Sequence, residues 1–264
     1  MGRLIQASKN WYAQQLEAGT FNIRYLILWF MVAIFPLLVI PHPFAISFAF
    51  GVAPPNYFYL PRYAILGVVA LIALVIMLRD RTRIGHPAFI PLGCFIIFSM
   101  VSALLAPIPM TAWIGSPFRF TGLTTYYFCI ILFILAQTND KTGATDKTGR
   151  LLSALVYTAG LVSLLGLLQY FGINLVPHEP YRMAVAAQPI AYGTMPHPNF
   201  FGTYTAFILP AAIFLYLRTP KTANLLWPAV IYAGLLVSEC RGTWIAALIG
   251  LLLILWYAWK RPDL

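Results

Sequence analysis

The stretch RYAILGVVALIALVIMLRDRTR, Arg62–Arg83, decides the fold. Sixteen residues separate Arg62 from Arg79, and none is charged. A helix rises about 1.5 Å per residue, so about 20 apolar residues cross a hydrocarbon core ~30 Å thick. Inside that core no water satisfies backbone N–H and C=O groups, which leaves helices and closed barrels as spanning structures. The alternation of a barrel strand is absent, so the stretch reads as a helix. Its two ends differ. A single arginine opens it, whereas Arg79, Arg81 and Arg83 crowd the far end. Basic clusters of that kind mark the cytoplasmic side of a membrane.

The same pattern repeats along the chain. Of 264 residues, 61% are hydrophobic and 9% charged, against about a quarter charged in a soluble domain. Mean hydropathy is +0.80. The predicted architecture is all-α: a polytopic helical bundle with eight spans near 25–40, 62–78, 88–106, 119–136, 151–171, 199–217, 224–238 and 243–259. Residues 1–24 form a cytoplasmic N-terminal segment. There Leu4, Ile5, Trp11, Tyr12 and Leu16 make either a weak amphipathic face or a frayed tail. Residues 25–264 form the transmembrane domain. No cleavable signal precedes the first span. Cys94 and Cys129 lie inside apolar runs, which argues against a disulfide framework. The net charge of +10 has no soluble domain to cluster on, so nucleic acid is not an expected partner.

Loop charge orients the spans. Arg3, Lys9 and Arg24 precede the first. Arg79, Arg81 and Arg83 follow the second, Lys141, Lys147 and Arg150 the fourth, Arg218 and Lys221 the sixth, and Lys260 and Arg261 the eighth. Those thirteen fall on one side, and Arg62, Arg119, Arg182 and Arg241 on the other. Both termini are therefore expected in the cytoplasm of a multi-pass inner-membrane protein, with outer loops at 107–119 and 172–198.

The four outer arginines oppose this bias. Arg62, Arg119 and Arg241 also stand at or before helix starts, where the helix dipole disfavours a cation. Only Glu179 and Glu239 offset them, leaving that face a charge of +2. An anionic ligand resolves the conflict, and the planar guanidinium fork suits phosphate. The alternative is that each arginine snorkels to lipid headgroups or pairs locally, as Glu239 with Arg241. In WIGSPFRFTGL, Trp113–Leu123, Gly115, Pro117 and Gly122 break helix around Arg119, as in a re-entrant turn or a plain surface loop. In YGTMPHPNFFGTY, Tyr192–Tyr204, Pro198 biases His197 away from helix, and Asn199 reads as an N-cap, a phosphate ligand, or both. His178 and Glu179 share that loop without zinc-ligand spacing, so no metal is expected. In VSECRGTWIAALIGLLL, Val237–Leu253, Arg241 enters the outer leaflet. GxxxxGK[ST], GxSxG and HExxH are absent from the chain, which leaves catalysis driven by cytoplasmic ATP without support.

Together GSPFRFTGL, PHPNFFGTY and SECRGTWIAALIGLLL resemble the O-antigen ligase superfamily, which includes lipopolysaccharide ligases, polymerases and protein O-oligosaccharyltransferases. The likeness runs from about Trp113 to the end of the chain. It implies transfer of a glycan from undecaprenyl pyrophosphate to a hydroxyl of a lipid or protein acceptor, with neither metal nor nucleotide. Arg119, Arg241, Asn199, Arg182 and Arg62 are then the substrate-binding candidates. The family's base is a histidine of a large periplasmic loop that follows one further span. This chain stops before both, so His197 is the substitute candidate, with His178 beside it. A truncated chain, half of a split gene, or a partner subunit served by a second chain are the expectations that follow. A polyprenyl-glycan flippase remains the alternative, although the predicted span interiors lack the ionisable groups that ion coupling needs.

Overall fold

The computed structural model describes residues 23–39, 58–81, 89–116, 119–137, 144–176 and 191–260. The predicted cytoplasmic segment before residue 23 lies outside them, as do Arg182, His178 and Glu179 in the second outer loop.

All regular structure among the described residues is helical. Helix α1, Ile23–Trp29, widens into a π-turn at Phe30–Ile34 and closes with a 3-10 turn at Phe35–Leu37. Then follow α2 (Tyr59–Arg79), α3 (Phe89–Leu104), a short α4 (Pro109–Ile114), α5 (Leu123–Gln137), α6 (Ala144–Tyr170), α7 (Pro198–Arg218), α8 (Thr222–Val237) and α9 (Arg241–Lys260). Each predicted span overlaps one of these helices, though the helix of the span predicted from residue 119 begins only at Leu123. Three are long and apolar enough to cross a membrane: Tyr59–Arg79, Lys147–Tyr170 and Pro198–Arg218. Five further apolar helices are shorter, at 10–17 residues. The chain is a helical membrane protein.

Of the four packed groups among the described residues, two join the long helices. Val156 and Ala159 of α6, Ile208, Leu209 and Ala212 of α7, Ile231 and Leu235 of α8, and Ala247 of α9 form one core. Ile27 of α1, Ala73 and Met77 of α2, and Leu135 of α5 form another. Glycines let the backbones approach. Gly160 faces the Trp227 ring, Gly166 the Phe201 ring, and Gly234 the Ser163 side chain. Small residues serve this purpose in membranes, where apolar lipid supplies no hydrophobic force between helices. By contrast α3 shows most of its apolar side chains outward, with Ile90 73% and Phe98 74% exposed. Such a surface fits a membrane or another apolar partner rather than water.

The helices alternate, so their ends sort into two sets. At one, Arg24 opening α1 pairs with Asp80 closing α2 at 2.7 Å. At the other, the end of α1 meets the start of α2 through Pro36, Leu38 and Arg62. The start of α2 meets that of α5 through Tyr63 and Thr124. The end of α6 meets the approach to α7 through Gln169 and Gly193. Gly202 in the first turns of α7 lies against Ser238, Cys240 and Thr243, where α8 gives way to α9. The three sequence motifs therefore share one end of the molecule.

Candidate functional site

The HPN motif is approached through a buried segment, Ala191–Met195, and α6 holds it. Gln169 is 1% exposed. Its Oε1 accepts from the backbone N–H groups of Tyr192 (2.9 Å) and Gly193 (2.7 Å), and its Nε2 donates to the Gly193 carbonyl (2.9 Å). Gly193 has φ +58 and sits so close to Val162 that a Cβ would lie 2.9 Å from the Val162 carbonyl oxygen. Both features require glycine. The Tyr192 hydroxyl donates to the Val176 carbonyl at 3.0 Å. Burial pushes that phenol up to about 12, so it stays a neutral donor. Thr194 donates through Oγ1 to the Pro36 carbonyl at 2.6 Å.

Arg62 closes the same knot. Its Nε donates to the Leu38 carbonyl (3.0 Å), and its Nη2 to the carbonyls of Pro36 (3.0 Å) and Thr194 (2.9 Å). Nη1 reaches the Met195 sulfur at 3.4 Å. The carbonyls ending α1 lack helical donors, and this guanidinium supplies them. Arg62 thus stands within the scaffold beneath the site, with most of its donors spoken for.

Next, His197 is extended, with φ −153 and ψ 145, as a residue before proline should be. Its Nδ1 accepts from the Asn199 backbone N–H at 3.0 Å. The N-cap of α7 is therefore His197, which corrects the sequence reading of Asn199 as the cap. Pro198 takes the first helical position, where its missing N–H costs nothing, and this moves Asn199 inside the first turn. The Asn199 side chain is exposed and makes no hydrogen bond among the described residues. Because Nδ1 accepts, the neutral imidazole carries its proton on Nε2. In this arrangement His197 is a donor rather than a base.

Arg119 rides on a loop with a pinched neck. Gly115 has φ +92, and a Cβ there would meet the Gly122 nitrogen at 2.6 Å, while one on Gly122 would run into Gly115 and Trp113. Only glycines allow the two strands of the neck to touch. Inside the loop, the N–H groups of Arg119 and Phe120 both donate to the Ser116 carbonyl at 2.9 Å. Phe120 then turns left-handed, φ +51. Its carbonyl accepts from Thr125 Oγ1, and its ring stacks on Tyr63 of α2 at 5.2 Å. Tyr63 also bonds Thr124 Oγ1 at 2.9 Å, which in turn donates to the Trp113 carbonyl. The Arg119 side chain is exposed and has no partner among the described residues.

The α8–α9 turn presents Arg241 similarly. Glu239 is left-handed at φ +53, and Thr243 Oγ1 donates to the Cys240 carbonyl at 2.7 Å. Trp244 Nε1 ties the first turn of α9 back to the Leu235 carbonyl at 3.0 Å. Arg241 is exposed at the start of α9. No ion pair joins Arg241 to Glu239, so local pairing does not account for Arg241.

The structure places Arg119, Asn199, Arg241 and His197 at the same end of the bundle, and Arg62 in the contacts that join the α1 end to Thr194. Sequence reasoning missed Gln169, Tyr63, Phe120 and Thr194, the residues that hold this arrangement. Gln169 carried a usable signal, since a lone amide in LLGLLQYFG sits at membrane depth and must find partners there. The other three carried none. The chain matches no protein-family model, no curated protein and no solved structure.

Proposed function

We propose that the chain is a membrane glycosyltransferase of the O-antigen ligase type, or the membrane part of one, lying in the inner membrane with eight spans and both termini cytoplasmic. On this reading the gathered end faces outward and takes a glycan carried on undecaprenyl pyrophosphate. One observation carries it: Arg119, Arg241 and the Asn199 amide are all exposed and without side-chain partners among the described residues, at the end where α7 and α9 begin. Two exposed guanidinia and a helix N-terminus suit a diphosphate. The acceptor hydroxyl attacks the anomeric carbon, the bond to the pyrophosphate oxygen breaks, and the arginines stabilise the charge that develops on the leaving phosphate. The hydroxyl proton goes to a base.

A second reading is favoured by His197. With Nδ1 occupied by the α7 cap, the described residues offer no histidine lone pair for that proton. The chain would then be a lipid-binding subunit, with the base supplied by another segment or a second chain.

The test is binding of undecaprenyl pyrophosphate to purified protein in lipid nanodiscs. Arg119→Ala and Arg241→Ala should each weaken binding about tenfold or more, as loss of a charge-assisted contact does, with Arg→Lys recovering little. Parental binding by both alanine variants would reduce these arginines to headgroup anchors. Glycan transfer by the parent chain alone, assayed with an acceptor, separates the enzyme from the subunit.

A further inference from the structure

Arg62 is a part-buried cation that joins no ion pair among the described residues. Its Nε and Nη2 protons go to the carbonyls of Leu38, Pro36 and Thr194. Those acceptors are neutral, so they solvate the charge without cancelling it. Nη1 is left with the Met195 sulfur at 3.4 Å, a weak acceptor, and its second proton meets no acceptor among the described residues. Tyr204 of α7 stands close by. It packs against the cluster of Val162, Ala191, Met195 and Phe201, so Met195 adjoins both side chains. The guanidinium and the phenol lie within electrostatic reach of each other. The Tyr204 hydroxyl oxygen is buried and makes no hydrogen bond. We infer that Arg62 Nη1 and the Tyr204 hydroxyl form a site for a small monovalent anion such as chloride, which ties the knot of α1, α2 and the segment before HPN onto α7.

A buried hydroxyl without a partner is costly, and so is a buried cation without an anion. One bound anion relieves both. A water relieves the hydroxyl alone and leaves the charge as it is. The groups left over are donors, two N–H and one O–H, and a halide accepts from all of them without offering a proton in return. Three donors suit a monatomic ion. A sulfate would bring four oxygens, most of them buried without partners. No acidic side chain among the described residues serves there instead, since Asp80 pairs with Arg24 at the other end and Glu239 lies in the α8–α9 turn. The site also has a mechanical consequence. Helix α2 packs on α1 and α5, whereas α7 packs on α6, α8 and α9. An anion held by Arg62 and Tyr204 therefore links helices that belong to different packed groups.

The experiment is thermal unfolding of the full chain in detergent across a chloride titration, with gluconate keeping the ionic strength constant. An anion that binds the folded state raises the melting temperature by mass action. The parent should gain about 2–4 °C in about 0.3 M chloride, along a saturating curve. Bromide should replace chloride, and sulfate should not. Tyr204→Phe removes an oxygen that has no partner in the protein, so the fold is kept. It should raise the chloride concentration at half effect about tenfold, the value of a hydrogen bond to a charged group. Arg119→Ala, in the separate turn before α5, should leave the curve where it is. A melting temperature independent of the anion overturns the site, and a water then satisfies the hydroxyl. Equal curves for the parent and Tyr204→Phe also overturn it, because the chloride would then act elsewhere on the protein. So does loss of the shift in Arg119→Ala with its retention in Tyr204→Phe.

Discussion

His197 takes the cap of α7, one of the two roles that the sequence offers Asn199, the other being a phosphate contact. Capping depends on which residue precedes the first helical φ/ψ pair, and Pro198 as the first helical residue moves that boundary two residues earlier. His197→Ala should therefore cost about 0.5–2 kcal/mol, as loss of a cap does, and His197→Asn much less. Asn199→Asp should be neutral or slightly stabilising, because a carboxylate inside the first turn complements the helix dipole. The same change should weaken pyrophosphate binding, since it removes two amide donors and adds a negative charge. Thermal unfolding in detergent, set beside lipid binding, separates the two effects. If Asn199→Ala lowers the unfolding temperature as much as His197→Ala does, the cap has been placed on the wrong residue. The exposed arginines were legible because their place in the chain opposes both dipole and loop charge. The engagement of Arg62 was not. Its partners are main-chain carbonyls up to 132 residues away, and carbonyls leave no mark in a sequence.

Apolar runs were legible as helices because length and composition alone settle whether a segment can be a helix in lipid. Their ends were less so. Helix α6 begins at Ala144, ahead of the apolar run, because a helix satisfies its own backbone and continues into polar residues without cost. Pro210 and Pro228 lie inside α7 and α8, where membrane context tolerates them. The π-turn of α1 leaves the Ala33 carbonyl for Thr158 Oγ1 at 3.1 Å, a pairing that no local pattern announces. Within these elements the glycines differ sharply in what they face. A Cβ at Gly166 would lie 2.5 Å from the Phe201 ring, whereas one at Gly149, on the same helix, meets nothing within 4 Å. Gly166→Ala should destabilise by about 1–3 kcal/mol through overpacking. Gly149→Ala should stabilise by roughly 0.5–1 kcal/mol, the propensity difference. Melting temperatures of the two variants, compared in one detergent, check both; equal shifts would mean that α6 and α7 pack differently from the arrangement described here.

At the scale of the molecule, the alternation of helices sorts the described basic residues by end. Arg24, Arg79, Arg81 and Arg150 lie at the end closed by the Arg24–Asp80 pair. Helix α9 runs alongside α7 in the same direction, with Gly202 near Thr243 and Pro210 near Gly250, so Arg218 and Lys260 join them. Arg62, Arg119 and Arg241 occupy the opposite end. That sorting is internal geometry; the proposal that the basic-rich end faces the cytoplasm rests on loop charge alone. A labelling experiment reads the orientation directly. Cys94, Cys129 and Cys240 are first replaced by serine, and single cysteines are then placed at Ser116, beside the Arg119 turn, and at Lys221, between α7 and α8. Both positions are exposed. A maleimide that does not cross membranes should modify Ser116→Cys in intact cells, and Lys221→Cys only after the membrane is opened. The reverse pattern would turn the molecule over and put the three arginines in the cytoplasm, where no glycan on an outward-facing carrier can reach them. Modification of both in intact cells would mean that an even number of crossings separates the two positions, and the eight-span arrangement would fail, since Ser116 and Lys221 are three predicted spans apart.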